Sequence, residues 1–192
     1  MTSQLEIEFK TLLTKEEFHT LIHALHLKKA VTQTNYYFDD NKETLHHQKA
    51  ALRIRELDHK MEMTLKSKTK EGHLEITELL NEREYQNFKI HHVLPKKQKI
   101  EQKLQQYHTQ LSLMVPITQL TTTRFEKKLN NDCTIMIDHS CYYNKEDFEL
   151  EMEVSDYKQG KAYFQHFLNH FALPYRQSQP KIARAISAKC DK

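Results

Sequence analysis

Glycine is nearly missing from this chain: Gly72 and Gly160 are the only two in 192 residues. That excludes the GxGxxG and Walker phosphate loops and the GxSxG nucleophile elbow. Any phosphate handled here must be gripped by side chains rather than by a glycine-rich backbone cradle. Cysteine is sparse as well. Cys133, Cys141 and Cys190 are an odd number with no CxxC spacing, the usage expected of a reduced, cytoplasmic chain. No apolar run approaches the roughly 18 residues of a membrane span. The acidic, alternating start lacks the basic head and apolar stretch of a signal peptide. An excess of one charge is missing too. Lys and Arg number 29 against 26 Asp and Glu, a net charge of +3, and the signs are interspersed, so nothing demands a nucleic-acid partner.

What is present is charge in quantity: 29% of residues are charged against 38% hydrophobic, so much of the chain must face water or a polar interior. The length fits one domain, residues 1–192. The segment "LEIEFK" alternates Leu5, Ile7 and Phe9 with Glu6, Glu8 and Lys10, the period of a strand. "LTKEEFHTLIHALHL" follows with helical spacing and a capping box at Thr14 and Glu17. "VTQTNYYFDD" reads as a strand ending in a polar turn. "QKAALRIREL" and "HKMEMTLKSK" read as strands joined near Asp58, His59 and Lys60, and "EGHLEITELL" as a strand entered through Gly72. Residues 81–113 read as a helical insert, with Asn81 as cap and Glu84 three residues on. Three further strands are expected in "ITQLTTTRFEKKL", "CTIMIDHSCYY" and "FELEMEVS". A helix capped by Asp156 and a short one after Pro180 end the chain. Strands in consecutive runs with short turns predict antiparallel pairing and an α+β fold.

The alternation recurs on strand after strand. Arg53 and Arg55 oppose Leu52 and Ile54; Glu62, Thr64, Lys66 and Lys68 oppose Met61, Met63 and Leu65; Glu75 and Thr77 oppose Leu74 and Ile76. Arg124, Glu126 and Lys128 share a face, Asp138 opposes Ile137, and Glu149, Glu151 and Glu153 oppose Leu150, Met152 and Val154. A single charged face is ordinarily wet. Like charges in a row on several strands are destabilising unless an opposite charge or a bound ion compensates. An inside-out barrel accounts for them, with apolar faces outward under helices and charged faces lining an interior. Glu6, Glu8, Asp138, Glu149, Glu151 and Glu153 would then hold hard divalent cations. Lys10, Arg53, Arg55, Lys66, Lys68 and Arg124 would hold a polyanion. A polyphosphate bridged by Mg²⁺ or Mn²⁺ satisfies both sets.

The ExExK of Glu6, Glu8 and Lys10 resembles the signature of the CYTH superfamily, the triphosphate tunnel metalloenzymes. "LRIR", "LKSK", "LEITE", "TTRF", "IMIDHSCYY", "FELEMEV" and "SQPKIARAI" occur in the family's order, so the resemblance spans nearly the whole chain. It implies an eight-stranded antiparallel closed barrel whose tunnel takes a triphosphate with divalent metal. Members include inorganic and thiamine triphosphatases, RNA triphosphatases and an adenylate cyclase class. By motif, Glu6 and Glu8 look like metal carboxylates, with the acidic strand as the family's other metal ligands. Lys10, Arg53, Arg55, Lys66 and Arg124 look like phosphate ligands, and Lys181 resembles the late basic residue of the terminal helix. The resemblance implies metal-dependent triphosphate hydrolysis, with Lys10, Glu149 and Glu151 as candidate catalytic groups and a carboxylate of "ELEME" as acceptor of the water's proton. The rivals are an adenylate cyclase built on the same cradle and a polyphosphate- or nucleotide-binding module without turnover. A nucleic-acid duplex fits poorly, because the basic residues share faces with carboxylates.

Smaller signals carry plainer readings. His19/His23 and His166/His170 have i, i+4 spacing but no third ligand nearby in sequence, so they read as surface or packing histidines. Cys133 and Cys141 flank Asp138 at outward or turn positions with no adjacent base. Tyr163, Phe164, Phe167 and Phe171 read as core against the barrel.

Overall fold

A period of two buries one face of an extended chain, and the segments with that period are the strands of the protein. They are β1 (Thr2–Leu13), β2 (Ala30–Asp39), β3 (Ala50–Leu57), β4 (Lys60–Lys68), β5 (His73–Leu79), β6 (Val115–Asn130), β7 (Cys133–Tyr142) and β8 (Lys145–Val154). The helices are α1 (Lys15–Ala24), α2 (Thr44–His47), α3 (Glu82–His91), α4 (Gln98–Gln106), α5 (Tyr157–His170) and α6 (Lys181–Cys190). The computed structural model describes residues 2–58, 60–70 and 72–190. His59 of the expected β3–β4 turn, Glu71 ahead of Gly72 and the side chain of Cys190 lie outside the described residues. The strands form a closed barrel in the order β1-β5-β4-β3-β2-β6-β7-β8, the α+β architecture expected. No helix among the described residues is long and apolar enough to cross a membrane.

The chain divides into two compact units, residues 1–5 with Thr34–Gln119, and Glu6–Gln33 with Leu120–Lys192. In the first, Leu52, Ile54, Met61, Met63 and Leu65 of β3 and β4 form one core with Phe88 of α3 and Ile100 and Leu104 of α4. The helical insert therefore covers the apolar face of these strands. Asn81 caps α3 as expected, its Oδ1 accepting from Glu84 N at 3.0 Å while Glu84 Oε2 accepts from Asn81 N at 2.8 Å.

In the second unit, Ile135, Ile137, Leu150 and Met152 of β7 and β8 pack with Phe18 and Leu21 of α1 and Phe164, Phe167 and Leu168 of α5. The Thr14–Glu17 capping box and the Asp156 cap form as expected. Cys133 is buried in this core. Of the four aromatic residues expected there, Tyr163 is the exception: at 47% accessibility it sits on the solvent side of α5. His19, His23, His166 and His170 are all exposed.

Two features depart from expectation. The first follows from the lack of glycine. Among the described residues, eight that are not glycine, including His26, His92, His108 and Ala172, hold left-handed φ values where glycine would serve, and His92 ends α3 at φ 54°. The second is α2, which lies just past the polar turn expected after β2, in residues given no element from the sequence. Asp39 accepts from the backbone N–H of Leu45 (2.9 Å) and His46 (3.0 Å), and Asp40 Oδ1 from Lys42 and Thr44 (both 3.0 Å). Asp40 Oδ2 also accepts from the Thr109 hydroxyl at 2.7 Å. Burial opposes ionisation of Asp40, but the Thr109 and Thr44 hydrogen bonds prevail and lower its carboxyl from 3.8 to about 2. A depressed folded value stabilises above the unfolded one and is lost as pH falls through the folded one. Asp40→Asn is thus expected to lower stability by about 1.5–3 kcal/mol at pH 7. The difference from wild type should close between pH 3.8 and 2, as read by urea unfolding across pH.

Candidate active site

The charged face of β7 and β8 is not wet. Asp138 and Glu149 are fully buried and Glu151 is 6% exposed, so the opposite face of β7 and β8 from the apolar core is closed to solvent as well. Three buried carboxylates on neighbouring strands cannot stay ionised without cations, and the second unit supplies them. Lys181, the first residue of α6, places Nζ 2.8 Å from Asp138 Oδ2, 2.6 Å from Glu149 Oε2 and 2.5 Å from Glu151 Oε1. Arg124 of β6 grips Asp138 with Nε at 2.8 Å and Nη2 at 2.6 Å, and the same Nη2 reaches Glu151 at 2.6 Å. This fork is possible because Arg124 and Asp138 are cross-strand partners in the β6–β7 ladder.

Two groups that the sequence reading did not assign complete the network. Arg184, one turn beyond Lys181 on α6, donates to Glu149 Oε1 at 2.9 Å and pairs with Asp147 at 2.9 Å. Ser178 donates to Glu149 Oε1 at 2.5 Å. The i, i+3 spacing of Lys181 and Arg184 in "KIARA" was a usable signal; nothing in the sequence marked Ser178. Burial works against the charge on Lys181, yet Glu151, Asp138 and Glu149 outweigh it and hold the ammonium above the usual lysine range. Burial likewise opposes ionisation of Glu151, and Lys181, Arg124 and Lys10 together hold its carboxyl well below the usual range. Lys181 and Glu151 are therefore both charged at neutral pH.

On β1, Glu6, Glu8 and Lys10 share the half-buried row opposite Ile7. Lys10 Nζ is 3.5 Å from Glu8 Oε1, and in the β1–β8 ladder Lys10 faces Glu151 while Glu8 faces Glu153. Two carboxylates at one cross-strand position repel, a juxtaposition that a cation between them relieves.

In the first unit, Arg53 Nη2 and Lys66 Nζ share Glu75 Oε1, at 3.9 and 3.6 Å. Arg55 donates from Nε to Asn35 Oδ1 at 2.9 Å and lies 3.6 Å from Glu62. These ion pairs are longer than those around Asp138. Lys68 ends β4 exposed, and Glu126 and Lys128 are exposed beyond Arg124.

Among known proteins, the sequence model of the CYTH domain matches residues 4–186. The chain is 34% identical over 98% of its length to "Putative triphosphatase YjbK" of Bacillus subtilis, 98% of which is covered. A crystal structure described as a putative adenylate cyclase from Bacillus halodurans is 31% identical, with a TM-score of 0.88 over 96% of this chain and 98% of that one. At 23% identity, the Hippeastrum protein HpAC1, described as a putative adenylyl cyclase with dominant triphosphatase activity, shares the fold: its TM-score is 0.81 over 96% of each chain. The match along nearly the whole sequence, joined to the barrel and its buried ionised rows, places this chain in the CYTH family.

Proposed function

We propose that this protein hydrolyses a triphosphate-containing small molecule in a single CYTH domain acting in the cytoplasm. The observation that carries the reading is the burial of ionised side chains on strand faces that an ordinary sheet leaves to water. The family membership and the YjbK relative support the same chemistry.

Each cluster takes the role its chemistry suits. Arg53, Arg55, Lys66, Lys68, Arg124 and Lys10 bind phosphate oxygens and neutralise charge developing on the transferred group. Lys181 serves as the late basic residue, its ammonium held ready by three carboxylates. Glu6, Glu8, Asp138, Glu149, Glu151 and Glu153 would hold Mg²⁺ or Mn²⁺. They are hard oxygen donors, and the facing Glu8 and Glu153 suit a cation. When bound, such an ion supplies charge neutralisation and a water of lowered pKa. In the hydrolysis a water oxygen would bond to the terminal phosphorus as the anhydride P–O bond breaks, giving orthophosphate and the remaining diphosphate. Glu149 or Glu151 accepts the water's proton. Glu151 is in the base form at neutral pH, because Lys181 and Arg124 hold it ionised.

Phosphate release from tripolyphosphate with Mg²⁺ or Mn²⁺, with and without EDTA, tests the proposal. Release is expected to require metal and to fall at least about 100-fold in Glu6→Gln/Glu8→Gln, in line with losing both charge and ligands. Absence of release, with ATP converted to a cyclic product, would move the assignment to a cyclase. Metal-dependent binding without turnover of either compound would leave a binding module.

A further inference from the structure

On the face of β7 opposite Asp138, the hairpin of β7 and β8 gathers a second cluster of a different kind. His139 Nε2 is 2.7 Å from Glu146 Oε2 and 3.5 Å from Cys141 Sγ, and the three donor atoms all lie within 4.8 Å of one another. Cys141 and Glu146 are direct partners in the ladder, so the register itself sets thiol against carboxylate. The imidazole is fixed in place: it stacks on Phe148 at 4.7 Å and 16°, with the Phe18 ring edge-on at 6.1 Å. Lys15 Nζ approaches the other carboxylate oxygen of Glu146 only at 4.0 Å, and both are well exposed.

The geometry excludes a nucleophilic triad. There the thiol and the acid would use opposite ring nitrogens of the histidine; here both converge on Nε2. Convergence of one nitrogen, one sulfur and one oxygen on a common point is instead the arrangement of metal ligands. We propose that His139, Cys141 and Glu146 form a zinc-binding site on the outer face of this hairpin, with the fourth position open to water. With zinc bonds of about 2.0–2.3 Å, tetrahedral donors stand about 3.4–3.6 Å apart. The Sγ–Nε2 separation of 3.5 Å already matches. The shorter Nε2–Oε2 contact needs only a small swing of the exposed Glu146 once a cation replaces the shared proton. A mixed thiolate–imidazole set selects zinc over the hard cations that suit the acidic rows.

Cobalt(II) titration of the whole protein, in excess Mg²⁺ to occupy oxygen-ligand sites, separates this site from the acidic network. One equivalent of Co²⁺ is expected to give a near-ultraviolet thiolate-to-cobalt band with strong visible tetrahedral bands, both abolished by one equivalent of Zn²⁺. Cys141→Ser should remove the near-ultraviolet band. Glu146→Gln, an exposed change that leaves the fold intact, should weaken Co²⁺ binding at least 10–100-fold, the loss that even an outer-shell partner causes. No thiolate band in the wild type, a band undiminished in Cys141→Ser, or a band that Zn²⁺ does not displace would overturn the proposal.

Discussion

Lys181→Met is expected to destabilise the protein by about 3–5 kcal/mol at pH 7.5. The side chain keeps its length and apolar stem, so the change isolates the ammonium. Without it, Asp138, Glu149 and Glu151, all buried, are left to Arg124 and Arg184. An uncompensated buried carboxylate takes up a proton rather than stay charged, so its folded pKa rises above the ordinary value. In the wild type the sign is opposite: Glu151 is depressed below 4.5, and its contribution is present above that pH and lost below it. The gap between variant and wild type should therefore be wide at pH 7.5 and narrow toward pH 4, as measured by urea unfolding at each pH. A gap independent of pH would mean that Lys181 acts by packing alone. Excess Mg²⁺ supplies the variant with a second test. If these carboxylates can hold a divalent cation, part of the lost stability returns by mass action; if none returns, their assignment as metal ligands fails while the charge argument stands.

Gly160→Ala sets two rules against each other. Helix propensity alone favours alanine by up to about 1 kcal/mol at Gly160, in the first turn of α5. Packing says otherwise. A Cβ at Gly160 would overlap Val154 Cγ2 and stand 2.9 Å from Val154 Cβ and 3.0 Å from Phe9 Cε2. Neither neighbour can step aside: Val154 is β-branched and lies in the β1–β8 ladder opposite Ile7, and Phe9 is wedged between Tyr157 and Phe164. The helix itself must lift from the sheet. A net loss of about 1–3 kcal/mol is expected, a fall in Tm of roughly 3–10 °C for a chain of this size. Ala162→Gly, on the exposed side of the same helix, should lose only about 1 kcal/mol. A Tm that rises in Gly160→Ala would show that α5 rides free of β8.

Much of this architecture was present in the sequence because its determinants are local. The Thr14–Glu17 and Asn81–Glu84 boxes need only neighbours three residues apart, and parity along a strand separates Leu150 and Met152 from Glu149 and Glu151 without knowledge of any partner. That charged rows on several strands could not all be wet was likewise an argument from like charges on one face. The helix α2 escaped because Asp39 and Asp40 read equally well as a turn until their carboxylates are seen folded back onto Leu45, His46 and Thr44. Parity gives a side chain its face but not its distance to anything. Which carboxylates share one ammonium was decided by the β6–β7 and β7–β8 registers and by α6 returning Lys181 and Arg184 to them. The same registers turn His139, Cys141 and Glu146 from three unremarkable residues of a hairpin into one cluster. Alternation and caps are interactions between near neighbours in sequence, and the sequence states them alone. Ion pairing falls off over a few ångströms between residues far apart along the chain, and only the folded strands bring those residues within reach.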